Sequence, residues 1–98
     1  MAKLLVNWTF SSDLIECPNF VVENIKKYQT EFDKWLYNTK EHDYWVNIDD
    51  EQIIQFDIDA FVNWINEYLI NNLDDKAFIL KHDFKPNKEE KLLPQINF

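Results

Sequence analysis

The chain of 98 residues contains no glycine and no arginine. The first absence excludes phosphate-cradling loops, which need positive φ and close approach of the main chain to the ligand. It also leaves every tight turn to Asn, Asp, Pro or a longer loop. The second absence removes the bidentate guanidinium clamp that grips phosphates and carboxylates. Cys17 is the sole cysteine, so no intramolecular disulfide can form. That fits a reducing compartment. Long apolar runs are missing too. The opening MAKLLVNWTFSSD is too short an apolar run for a signal peptide, and no later run approaches a membrane span. The protein is therefore expected in the cytoplasm, with no membrane partner.

One further absence is local. Residues 41–75 carry ten acidic side chains and not one lysine, although the chain has ten lysines in all. Residues 1–40 are charge-balanced and residues 76–98 are two positive, so the net charge of -8 belongs to this one stretch. What is abundant is apolar and aromatic: 46% and 16% of residues, including four Trp, four Tyr and eight Phe. That is ample for a modest core and argues against disorder. The length predicts one domain over residues 1–98. The richness in Asn, Ile, Lys, Phe and Tyr would suit an AT-rich bacterial or phage genome.

Periodicity predicts the elements. KLLVNWTF, residues 3–10, alternates, with Leu4, Val6, Trp8 and Phe10 on one face, as in a strand. SSDLIECPN then reads as a link, with Pro18 at a helix entry. Val21, Ile25, Tyr28, Phe32 and Trp35 form the apolar stripe of a helix over residues 19–37. YWVNI and QIIQF read as a hairpin turning through Asp49, Asp50 and Glu51. In that register Tyr44, Val46, Ile48, Ile54 and Phe56 share a face and Trp45 points away. A second helix starts at Asp57 or Asp59, either of which can cap it. Its stripe is Phe61, Trp64, Ile65, Tyr68 and Leu69. AFILKHDF, residues 77–84, is another strand, KPNKEEK a charged loop, and LLPQINF a last strand at an edge, where Pro94 is tolerated. The order β-α-β-β-α-β, with a possible final strand, predicts an α+β fold. It has a mostly antiparallel sheet, two helices on one face and a ferredoxin-like topology. A sheet led by the central hairpin, with the first strand at an edge, is the alternative.

Few residues promise chemistry. Cys17 precedes Pro18 at the mouth of a helix, where a thiolate can be stabilised, but its spacing from His42 and His82 matches no nucleophilic scaffold, and packing explains it as well. The acidic pairs lack the alternating ligands and glycine of a calcium loop, and one Cys with two His is too few for a zinc set. No metal and no cofactor is expected. Carboxylates in turns and caps stay solvated, unlike the acid–base pair of a hydrolase. The protein is expected not to be an enzyme. Direct nucleic-acid binding is disfavoured by a net charge of -8.

The remaining feature is the acidic stretch with aromatics inside it. Solubility alone would account for some of that charge. A binding role would use it to steer a basic partner, with an exposed aromatic as anchor. The expected partner-binding residues are Glu41, Asp43, Trp45, Asp49, Asp50, Glu51 and Glu67. The expected function is a small inhibitor that blocks the basic surface of a nuclease or other nucleic-acid-binding protein, in the manner of an immunity protein or a phage anti-defence inhibitor. The alternative is an assembly module that forms a homodimer through a sheet edge or the strand LPQINF. A ligand-binding groove around His42 and His82 is a third reading.

Overall fold

The computed structural model describes all 98 residues. The expected α+β class holds, with three helices, a mostly antiparallel four-stranded sheet and a separate two-stranded one. The strands are β1 (Ala2–Asn7), β2 (Ser12–Cys17), β3 (Trp45–Ile48), β4 (Glu51–Ile54), β5 (Phe78–Phe84) and β6 (Gln95–Asn97). The helices are α1 (Asn19–Glu23), α2 (Ile25–Asn38) and α3 (Ile58–Tyr68). The main sheet runs β5-β2-β1-β6, antiparallel except for β1 against β6. The pairings do not establish a ferredoxin-like order. An extra strand, β2, precedes the first helix, and the β3–β4 hairpin pairs only with itself.

That extra strand comes from SSDLIEC, the segment expected to be a link. Leu14 and Ile15 are adjacent and both are buried, so β2 is covered on both faces and does not alternate. Leu4, Val6, Ile15 and Cys17 face the helices, in one cluster with Val21, Phe32, Leu36, Phe61 and Ile65. Leu5 and Leu14 are buried outside that cluster. Leu14 shares a shallow hollow with Lys81, Glu90 and Leu93, so the β5–β6 connection crosses this second face. KPNKEEK is more ordered than a charged loop. Asn87 and Glu90 exchange two hydrogen bonds, Asn87 N–H to Glu90 Oε1 at 3.0 Å and Glu90 N–H to Asn87 Oδ1 at 2.8 Å. This is a capping box, and it opens a single 3₁₀ turn at Glu90–Leu92.

The long helix expected over residues 19–37 is broken at Asn24, whose φ of -119° is not helical. Its Nδ2 donates to Phe20 O at 2.9 Å. Asn competes for the main chain in this way and so disfavours helix interiors. The stripe survives the break. Phe32 sits at the centre of the core, edge-on to Phe56, Phe61, Trp64 and Phe98 with centroids 5.1–5.8 Å away, and stacked on Trp35 at 6.1 Å. Edge-to-face pairs add about 0.5–1.5 kcal/mol each beyond the area they bury. Asp57 caps α3 by accepting the Asp59 N–H at 3.0 Å, one of the two expected caps. LLPQINF contains the expected edge strand, with Pro94 O accepting from Leu5 N–H at 2.9 Å.

Without glycine, the left-handed backbone positions fall to aspartate. Asp49, Asp50 and Asp83 have φ of 51°, 67° and 52°. Asp49 and Asp50 alone make the β3–β4 turn, because Ile48 pairs with Glu51. Two central residues at positive φ are a type I′ turn, whose best second residue is glycine. Asp50→Gly should therefore stabilise the fold. Relief of about 1–2 kcal/mol of left-handed cost exceeds the roughly 0.5–1 kcal/mol of extra chain entropy. Chemical denaturation should show a higher midpoint at unchanged slope.

Candidate functional site

The acidic stretch is built from the loop after α2, the hairpin and α3. Six of the seven expected residues, Glu41, Asp43, Asp49, Asp50, Glu51 and Glu67, are exposed. They form two groups. Glu41, Asp43 and Glu67 line one cleft of about 350 Å³, walled by Trp35, Tyr44 and Tyr68. Asp49, Asp50 and Glu51 lie outside it, at the tip of the hairpin.

Trp45 is the correction. It is half-buried rather than displayed, stacked on His42 with ring planes 5° apart and donating from Nε1 to Thr39 O at 2.8 Å. The reason is the turn. A three-residue link through Glu51 would pair Val46 with Ile54, whereas the two-residue turn pairs Trp45 with Ile54 and Val46 with Ile53. A slip of one residue moves every side chain to the other face. Trp45 thus shares its face with Ile54, which packs against the core. The opposite face of the hairpin carries Val46, Ile48 and Ile53 beside Glu51, with Ile48 and Ile53 exposed. An apolar strip is thereby presented next to three carboxylates, whereas the three-residue link would have set Val46 and Ile48 on one face with Ile54. In the cleft, Tyr68 is the exposed aromatic, its Oη accepting from Trp35 Nε1 at 3.2 Å.

His42 has its ring committed to the backbone. Nδ1 accepts the Tyr44 N–H at 3.2 Å, so Nε2 bears the proton and donates to Leu36 O at 2.7 Å. It ties the loop to the end of α2. His82 does not line this cleft, so the two histidines share no groove. Instead it belongs to a site that sequence reasoning passed over. Asp13 is almost fully buried and accepts three hydrogen bonds: Trp8 Nε1 at 2.6 Å, His82 Nδ1 at 2.7 Å and Asp83 N–H at 2.8 Å. Cys17 is fully buried, and burial pushes its thiol up to about 11. It is held as a packing group. Thiol reagents should leave it unmodified in the folded protein and label it in denaturant; rapid labelling without denaturant would contradict that burial.

No helix is long and apolar enough to cross a membrane. No protein-family model, no curated protein and no solved structure matches the chain. The geometry therefore stands alone. It offers a cleft with three carboxylates and aromatic walls, suited to a cationic side chain, and a projecting hairpin with an apolar face and an acidic tip.

The Asp13 carboxylate raises the pKa of His82 above its ordinary 6.5, first through their hydrogen bond and then through its charge, with Asp83 and Asp59 adding to it. A histidine raised in the folded state stabilises it fully below the unfolded value and loses that contribution as pH rises through the folded one. Thermal melts should show stability falling as pH rises above 6.5, with a smaller fall in His82→Gln. Identical pH profiles for the two proteins would remove this linkage.

Proposed function

We propose that the protein is a small, non-catalytic inhibitor that binds the basic surface of a nuclease or other nucleic-acid-binding protein, as an immunity protein or a phage anti-defence inhibitor does. It would act in the cytoplasm, as a lone buried cysteine and no disulfide would allow. The observation that carries the reading is the hairpin. Val46, Ile48 and Ile53 offer an apolar centre, and Asp49, Asp50 and Glu51 a charged border beside it. Interfaces are built this way, with desolvated apolar contacts inside and charge at the rim to speed encounter. The cleft of Glu41, Asp43 and Glu67 supplies a second contact, where a lysine or arginine of the partner would lie against Tyr68. Burial of Cys17 and the backbone bonds of His42 support the non-catalytic reading.

The free edge of β5 favours a second reading, assembly of identical chains. Phe78 and Leu80 are exposed along it. Register shifts opposite Asp13 and Leu14 break the strand, and such irregularities protect edges from pairing. Removal of residues 92–98 would not test assembly, because Ile96 and Phe98 belong to the core. Leu80→Lys would, through the solution mass.

Reversal of Asp49 and Asp50 to lysine would also disturb the turn. The double change Asp49→Asn with Asp50→Gly removes both charges and suits the backbone better. A nuclease captured from host lysate should lose activity on addition of the wild-type protein, less so as salt rises. The double variant should inhibit at least about tenfold more weakly, with slower association. Equal inhibition by a variant that melts no lower would sink the docking role of the hairpin tip.

A further inference from the structure

We propose that the hollow between the β1–β2 turn and the β5–β6 connection binds a small anion carrying a flat apolar group. It lies in a different part of the molecule from the acidic surface, and it stands or falls independently of the inhibitor reading.

The hollow measures about 430 Å³, within the range of small-molecule sites. In a chain of net charge -8, no carboxylate lines it, yet two lysines do, Lys85 and Lys91. Neither has a carboxylate partner, since the ion pairs of the protein are Lys81 with Glu90 and His82 with Asp13. Glu90, the neighbour of Lys91 in the chain, has its carboxylate held elsewhere, by Lys81 Nζ at 2.6 Å and by the Asn87 N–H at 3.0 Å. The capping box and that ion pair thus keep Glu90 away from Lys91.

Phe10 supplies the apolar contact. It is 90% exposed at the turn and lines the hollow with Phe84. A large aromatic held in water contributes nothing to the core, and a flat ligand would cover it. Beneath, the polar wall is fixed. Ser12 Oγ donates to Asn7 Oδ1 at 2.7 Å, and Asn7 Nδ2 donates to Gln95 Oε1 and Asn97 Oδ1, both at 2.9 Å. Such a cross-strand ladder holds the site in shape without the ligand, and preorganisation spares binding the cost of ordering it. Two lysines match one phosphomonoester or carboxylate. A polyanion such as nucleic acid would meet the repulsion of the whole chain.

The test is an amide-resolved NMR titration of the intact protein with phenyl phosphate, benzoate, inorganic phosphate and uncharged benzyl alcohol. Phenyl phosphate or benzoate should shift the amides of Thr9, Phe10, Ser11 and Lys85 saturably, and the stronger of the two identifies the headgroup. Lys85→Gln with Lys91→Gln should abolish those shifts while the remaining spectrum stays that of the folded protein. Phe10→Ala should weaken the aryl anion roughly fivefold and leave inorganic phosphate unchanged. Overturning results are no saturable shift with either aryl anion, equal shifts in the double lysine variant, or equal affinity for inorganic phosphate and phenyl phosphate. The first two would remove the site and the third its apolar half.

Discussion

A buried carboxylate sets the geometry of the sheet. Asp13 lies in β2 where β5 carries two residues, His82 and Asp83, against its one. A bulge leaves main-chain groups without ladder partners, and here the Asp13 carboxylate takes the Asp83 N–H in place of a carbonyl. Asp83 itself adopts φ of 52° to make the bulge. The same carboxylate holds the indole N–H of Trp8, whose ring stacks on Phe98 at 5.2 Å and meets Phe56 edge-on. Those two rings in turn flank Phe32. One charge therefore couples the β1–β2 turn, the edge strand and the aromatic core. Loss of the carboxylate would leave the Trp8 indole N–H and the Asp83 N–H without their acceptor, and an unsatisfied buried donor costs about 1–3 kcal/mol, a large share of the stability of a domain this small.

The acidic charge is segregated in space as well as in sequence. It sits on the hairpin, its approach loop and α3, while Lys85, Lys88 and Lys91 lie on the β5–β6 connection. A hairpin with only its own hydrogen bonds is marginal in isolation. This one is held at its base, by Trp45 to Thr39, by Gln55 N–H to Tyr44 O at 2.9 Å, and by Tyr44, Ile54 and Phe56 against the core. Its tip is left free.

Much of this was legible in the sequence where one face of an element is buried. The stripes of α2 and α3, the Asp57 cap and the edge position of Pro94 all follow from local patterns. Failures came where a second constraint overrode the pattern. β2 lacks alternation because both of its faces are covered, so Leu14 and Ile15 side by side looked like a link. Phe10 continued the alternation of β1 but falls in the turn that Trp8 N–H closes on Ser11 O at 2.8 Å. Asn24 gave no periodic signal of a break. Glu51 counted as turn or strand decided which face Trp45 took, and no propensity separates the two. The capping box at Asn87 and Glu90 was readable from spacing alone, hidden only by the charge around it.

The parallel pairing of β1 with β6 joins Leu5, Val6 and Asn7 to Gln95, Ile96 and Asn97. Paired positions such as Asn7 and Asn97 lie 90 residues apart, so this contact closes the longest loop in the fold. Loop-closure entropy grows only as the logarithm of loop length, so the separation costs little stability and weighs instead on the rate of folding. Phe98, beside the end of β6, completes the ring cluster about Phe32. The slow contact and the aromatic core are thereby tied to the same short strand.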